Sequence, residues 1–499
     1  MTRMTYDTSY RIEKFGERLA WMIDHVEHNH LCFGDPNKPL DKPTSVTAIY
    51  RALCELLPGK IVKLPTWEKY LSGETSTSLA VMLGLREIYP SMPFEVLTTG
   101  TFADFEVATA QVTAARNRWA DATKHVASHR DELAKLAKQY YQTVDASHDY
   151  RPVEDGPVFP LITQPGWLLE EPVLLTETDP VAKLQRHIDD AKGFELAGWK
   201  APYWMIKKAL MGIKSGARLT NGPTFRVSEI SADGRKINLK YSCGWYFNYI
   251  DTCEALGAEL ADFAIHNAGK VPGPDDLPLR GEPERVFDFR NRSAFPGVNC
   301  LLILKNYFEG TNSDERKRMR DEFLMHFRPG TTLEAQNTWH VVPAGGHQPL
   351  TDSFVSDEDQ SLWRSAVREF VEEVFNKEEA AKYRKSGVSF LDHPEVKPIV
   401  DKVFRKDGVA KIYLMGMGLD PVTTKLEILV AIVVDWKKFM TRAEGLKIEA
   451  NYEGKIVHRE LTKDMLLAAA TRGEDGRPVL PAGSACLLMA HKFLDRLKV

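Results

Sequence analysis

The chain has 499 residues, with 65 Lys and Arg against 69 Asp and Glu and a formal net charge of −4. That length carries a prior of about three domains. Charged residues at 27% and apolar residues at 43% match an ordinary soluble globular protein and exclude a low-complexity or disordered chain. The charge balance argues neither for nor against nucleic acid. The six cysteines (Cys32, Cys54, Cys243, Cys253, Cys300, Cys486) are scattered, with no CxxC and no Cys/His cluster. They read as small buried hydrophobes in a reducing compartment, which speaks against a zinc centre. No apolar core follows the early basic residues, and the longest apolar run, Ile428 to Val434, is far too short to span a bilayer. The expectation is a cytoplasmic protein with no membrane partner.

Residues 1–100 read as a helical bundle. Ile12, Phe15, Leu19, Met22 and Val26 follow helical spacing, as do Val46, Ile49, Leu53 and Leu56, with Thr44 or Ser45 as a cap and Pro58-Gly59 as a stop. Leu64 to Gly73 has Pro near its first turn and Gly at its end, and Leu79 to Ile88 suggests a further helix. Short helices joined by tight turns are what a helix-turn-helix needs. The Tyr70-Leu71-Ser72-Gly73 step, the Leu-rich helix after it and the Tyr89-Pro90 exit together resemble the Xre-type helix-turn-helix of actinobacterial regulators. The resemblance implies that Thr66, Glu68 and Lys69 face DNA. Residues 1–100 hold 11 Lys and Arg against 12 Asp and Glu. That balance offers little phosphate attraction, so a dimerisation or docking role stays open.

Residues 101–147 form the most regular stretch. Phe105, Ala108, Val112, Ala115, Trp119, Ala122, Val126, His129, Leu133, Leu136 and Tyr140 recur every three or four residues, a heptad pattern over about five repeats. A coiled coil joining two copies would hold paired DNA-reading domains at fixed separation, so a homodimer through this helix is expected. The alternative is a helix that packs back on its own chain.

Residues 148–217 read as a Pro-rich linker to about 182, then as helix over 183–215. Lys207, Lys208, Lys214 and Arg218 make a basic cluster there that either meets phosphate or is simply solvated. In residues 218–499 the period changes to two. Thr224–Ile230 and Lys236–Tyr241 flank Asp233-Gly234, a strong hairpin signal. Val298–Leu304, Phe323–Arg328, Ala410–Gly418 and Leu426–Val434 read as strands, Ala255–Phe263 as a helix, and Glu449–Val499 as a hairpin and two helices. Strands interleaved with helices give an α+β sandwich with a mixed sheet.

The chemistry concentrates between Trp339 and Phe375. The apolar strand His340-Val341-Val342 feeds the turn Pro343-Ala344-Gly345-Gly346, and a helix follows that ends Arg368-Glu369-Phe370-Val371-Glu372-Glu373. Positions i, i+3 and i+4 share a helix face, so Glu369, Glu372 and Glu373 project together. Three carboxylates on one face repel unless something neutralises them, and a hard divalent cation does so naturally. The plainer reading is a solvated acidic face. The turn and helix resemble the Nudix box. Its terminal Gly is replaced here by Phe375, and its loop, Gln348 to Asp359, is longer by about one helical turn plus a bend, with Glu358 the nearest candidate for the loop carboxylate.

The Trp245–Tyr249 step, Arg292–Asn299, and Leu362-Trp363-Arg364 extend the resemblance to the Nudix-like domain that Xre-type regulators carry C-terminally. It implies Mg²⁺ (or Mn²⁺) held by Glu369, Glu372, Glu373 and Glu427, a nucleoside diphosphate-type ligand gripped by Gly345, Gly346, Arg368 and Arg328, and Glu372 or Glu373 in any catalysis. Two functions follow from these resemblances. The first is a DNA-binding transcriptional regulator whose Nudix-like domain senses, and in one version hydrolyses, a nucleotide derivative. The second is a Mg²⁺-dependent pyrophosphohydrolase whose N-terminal helices serve dimerisation or docking. A folded interaction scaffold is the third option.

Overall fold

The structure is a computed structural model. It describes residues 102–144, 158–178, 182–184, 193–194, 196–199, 202–214, 221–281, 286–308, 319–328, 337–349, 360–375, 389–405, 408–442 and 455–499. The helix-turn-helix reading of residues 1–100, with Thr66, Glu68 and Lys69, lies outside the described residues, as does Glu358. The chain divides into two units, one made of residues 1–121 and 194–221, the other of 122–193 and 222–499.

The heptad stretch is helical as expected, as α1 (Phe102–Ser128) and α2 (Arg130–Val144). The irregularity at His129 does not interrupt the hydrogen bonding, because His129 N–H still reaches His125 O and Leu133 N–H reaches His129 O. Part of the stripe expected to join two copies is covered within this chain. Ala115, Trp119, Ala122, Leu133 and Tyr140 are buried. In the first unit the Trp119 indole N–H donates to Ala197 O at 3.0 Å. In the second, the Tyr140 hydroxyl donates to Gly281 O. Those five positions therefore pack on their own chain, while Val126 and Leu136 of the same stripe are only partly covered.

Among the described residues of the helix expected over 183–215, α3 (Tyr203–Lys214) is helical and Leu184 ends a strand. Of the basic cluster, the Lys207 and Lys208 side chains are described. Lys207 is buried, and Lys208 lies over the Trp204 ring at 5.9 Å.

In the second unit, β1 (Leu168–Leu175) joins a sheet, so the stretch read as a linker supplies an edge strand paired antiparallel with the strand Ala410–Leu419. A small sheet contains β2 (Ala182–Leu184), β3 (Pro223–Ala232) and β4 (Ile237–Trp245), in the order β2-β4-β3. The expected hairpin is β3–β4. Gly234 takes φ +85°, and the Asp233 carboxylate accepts the N–H groups of Arg235 and Lys236. A helical turn over Tyr246–Tyr249 widens into a π-turn at Ile250–Glu254 and continues as α4 (Ala255–His266).

The main sheet follows, from β5 (Pro296–Tyr307), β6 (Arg320–Arg328), β7 (Thr338–Val341) and β8 (Ala344–Gly346). Next come α5 (Leu362–Glu369), α6 (Lys397–Val403), β9 (Ala410–Leu419), β10 (Leu426–Asp435), α7 (Trp436–Arg442), β11 (Lys455–Glu460), α8 (Lys463–Thr471) and α9 (Pro481–Phe493). The strand order is β1-β9-β10-β5-β6-β11, with β7 on β6 and β8 on β5. β5 and β10 run parallel, from Leu426 opposite Pro296 to Asp435 opposite Lys305. Both are almost entirely buried, which is why they read as continuous apolar runs rather than alternating ones. The architecture is α+β with a large mixed sheet.

The turn between β9 and β10, Asp420 to Lys425, gathers three arginines. Arg280 is fully buried and donates to Pro421 O, Val422 O, Leu256 O and the Tyr141 hydroxyl. Arg292 donates to Thr424 O and Oγ1. Arg130 of α2 pairs with Asp420 at 2.9 Å. Burial alone would raise the Asp420 carboxyl, but Arg130 and the Thr423 N–H outweigh it and hold it below the usual range. Truncating a buried guanidinium strands every acceptor it served, so Arg280→Ala is expected to cost about 3–5 kcal/mol. Urea unfolding of that variant checks this, and a loss under about 1 kcal/mol, the net worth of one ordinary hydrogen bond, would contradict it.

Candidate functional site

The box helix begins at Ser361, whose hydroxyl accepts the Arg364 N–H, and passes from α5 into a π-turn over Phe370–Val374. Its apolar side carries Ala366, Val367, Phe370, Val371 and Val374, all buried. Glu177, on the segment after β1, anchors its start, accepting from Arg364 at 2.8 Å and from Arg405 at 2.6 and 3.0 Å.

Val342-Pro343 is a cis peptide, and β8 after it pairs with β5 through Ala344, Gly345 and Gly346. The pairing of β8 with β5 seats the glycine turn against the helix. A Cβ on Gly345 would overlap the Glu369 carboxylate, and one on Gly346 would overlap the Phe295 ring. Glycine is required at both positions by close approach.

The three box carboxylates have different fates. Glu369 is buried, and its Oε1 takes the Arg368 guanidinium at 2.5 Å. Arg368 is itself only 3% exposed and also donates to Gly346 O and Gln348 O. Glu372 and Glu373 stay half-buried. Glu372 Oε2 stands 3.9 Å from Arg368 Nε, and Glu373 accepts the Ala344 N–H at 3.3 Å. Burial first, then the nearby Cys486, Glu369 and Glu373, pushes the Cys300 thiol well up.

Glu427 does not join them. It is opposite Gly297, whereas Gly345 is opposite Val298. Successive strand residues point to opposite faces, so Glu427 and Glu369 lie on opposite sides of the sheet. On its own side Glu427 accepts from Asn299 Nδ2 at 2.8 Å, with Lys425 at 3.7 Å. Asn299 Oδ1 meets His340 Nε2 at 3.1 Å. Because the amide nitrogen donates to Glu427, the amide oxygen must accept, so His340 carries its proton on Nε2. Burial pushes the Glu427 carboxyl up, and burial with Arg328, His326 and Lys425 pushes His340 well down. Arg328 is not at the turn either. It faces Thr338, the first residue of β7, while the turn follows the last.

Asn299, His340 and Lys425 are the polar partners that sequence reading missed. The signal was present as one polar residue inside each of two apolar runs, Val298-Asn299-Cys300-Leu301 and Leu426-Glu427-Ile428-Leu429. A buried polar group demands partners, but the pattern does not say which.

Among the described residues, no three His, Cys, Asp or Glu side chains are placed to enclose a metal ion. With Glu369 committed to Arg368, the donor set fits two carboxylates at most. It does not fit an all-protein cage, whereas Mg²⁺ commonly uses one or two carboxylates and completes its shell with phosphate and water. No family model matches this chain, and no curated protein matches it significantly.

Beside the turn, His347 is fully buried, bonded through Nδ1 to the Ser365 hydroxyl at 2.7 Å and packed on Phe225 and Tyr241. Burial, then Arg368, pushes it down to about 3. Between its unfolded value near 6.5 and about 3, only the unfolded chain binds this proton. Stability from neutral His347 is therefore complete above about pH 6.5 and falls as pH drops, by about 1.4 kcal/mol per pH unit at most. Denaturant melts from pH 7 to 4 should show this slope, and His347→Gln should reduce it, leaving the share from buried His340. Gly345→Ala should cost about 1–3 kcal/mol by overpacking against Glu369, read in the same melts.

Proposed function

We propose that this chain is a DNA-binding transcriptional regulator whose box domain binds a nucleoside diphosphate derivative together with Mg²⁺ or Mn²⁺. The observation that carries the ligand half is the glycine turn seated directly on the carboxylate helix, with half-buried Glu372 and Glu373 beside the neutralised Glu369. Two carboxylates and a diphosphate together supply the oxygen set a small hard cation prefers. When bound, the cation screens the phosphate charge. Arg368 keeps Glu369 from adding a third negative charge and ties the turn to the helix through Gly346 O. The DNA half rests on the pattern of residues 1–100, with Thr66, Glu68 and Lys69 as the reading positions.

Hydrolysis of the diphosphate bond is the second reading, with Glu372 and Glu373 as its carboxylates. Binding is favoured over turnover because one of the three box glutamates is already held by a buried arginine.

The test is a panel of nucleoside diphosphate derivatives with Mg²⁺, for wild type and Glu373→Gln. Thermal stabilisation of wild type without turnover, weakened in the variant, is the expected result. Turnover that the variant loses would replace the sensor with the hydrolase. Stabilisation by no member of the panel would remove both.

A further inference from the structure

The carboxylate helix starts against its own dipole. α5 has no acidic residue in its first turn, and Arg364 stands there, three residues past the cap Ser361. Negative charge is favoured at a helix N-terminus and positive charge is not. Arg364 also lies one turn before Arg368, the i, i+4 spacing at which like charges repel. Arg368 in turn holds Glu369 and Gly346 O and stands 3.9 Å from Glu372, again one turn on. Arg364, Arg368 and Glu372 therefore make one file along the helix.

Glu177 supplies the missing negative charge from 187 residues away. Its Oε1 accepts from Arg364 Nη2 at 2.8 Å and from Arg405 Nη2 at 2.6 Å, and its Oε2 accepts from Arg405 Nε at 3.0 Å. Its backbone oxygen accepts the hydroxyl of Ser361 at 3.2 Å. The three side chains are mostly covered, with Arg364 11%, Arg405 19% and Glu177 27% exposed, so solvent ions screen them less than a surface pair. The bond from Glu177, outweighing burial, raises Arg405 above its ordinary range, and Arg405 also reaches Asp401 and Asp392. One carboxylate thus ties the helix start to the segment after β1 and to the chain just past α6.

We propose that Glu177 is a positioning residue for the box: by taking up the charge of Arg364 it leaves Arg368 to Glu369 and the glycine turn, and so sets where Glu372 and Glu373 stand. α5 and the π-turn after it run on as one rod of about 20 Å, so a shift at the clasp reaches the carboxylates. The consequence for ligand binding rests on the diphosphate reading above, and the consequence for the helix does not.

Hydrogen exchange of the full chain tests it, together with calorimetric titration of Mn²⁺ and inorganic pyrophosphate. In Glu177→Gln, the amides of Phe370–Val374 should exchange faster than in wild type. Those of β10 should not change, because a buried central strand opens only with the whole fold. Pyrophosphate with Mn²⁺ should bind at least about 10-fold more weakly, the usual cost of losing the support behind a metal-binding group. Unchanged exchange at Phe370–Val374, or exchange of β10 that speeds up in the same proportion, overturns the positioning role. Wild-type affinity for the probe in the variant overturns it as well. A wild type that binds no pyrophosphate removes the diphosphate reading, and the exchange of Phe370–Val374 still decides the role of Glu177. Should Glu177→Gln unfold, Glu177→Asp, which keeps the charge one methylene short, is measured in the same way, and wild-type exchange at Phe370–Val374 there overturns the proposal.

Discussion

Three guanidiniums closing on one six-residue turn are the constraint on which the larger unit depends. Arg130, Arg280 and Arg292 come from the long helix, from the segment after α4, and from the segment before β5. They meet at Asp420–Lys425, between the two most buried antiparallel strands. The carbonyls of such a turn have no strand partners, and inside a protein each needs a donor. Arginine suits the task because one planar group serves several acceptors and stays charged when buried. Satisfying the turn thus also positions three distant stretches of chain, and β10 leaves it with a defined register against β5.

That register decides which polar residues meet. Ten consecutive pairs between β5 and β10 put Gly297 beside Glu427 and Asn299 two residues on, on the same face. The file Lys425, Glu427, Asn299 and His340 then links β10, β5 and β7 through the interior. Each member supplies what its neighbour lacks, so the buried carboxylate is tolerated. The helix α9 covers this face, with Gly483 lying close enough to His340 that a side chain there would clash.

The opposite face carries the box. Its turn depends on β8 pairing with β5, which brings Gly345 down onto Glu369. Arg368 answers the resulting crowding of carboxylates from within the helix, bridging to Gly346 O as well. Three acidic residues that look equivalent on a helical wheel are therefore unequal in the fold. One is spent on structure and two remain near the surface.

Periodicity and turn chemistry were legible in the chain itself. The hairpin at Asp233-Gly234, the buried strands β5, β6, β9 and β10, α4 and the long helix follow from local rules, because spacing and backbone freedom are properties of short stretches. What covers a face is not local. The heptad stripe has the same pattern whether it meets a second copy or its own chain, and here Ala197 and Gly281 meet it. Leu184 and Leu168–Leu175 became strands because a partner edge was waiting, and Glu427 left the box trio because strand pairing put it on the other side of the sheet. Sequence alone determined which residues must be buried and which must carry charge. Only the tertiary structure decided what each of them faces, since that depends on contacts between segments far apart in the chain.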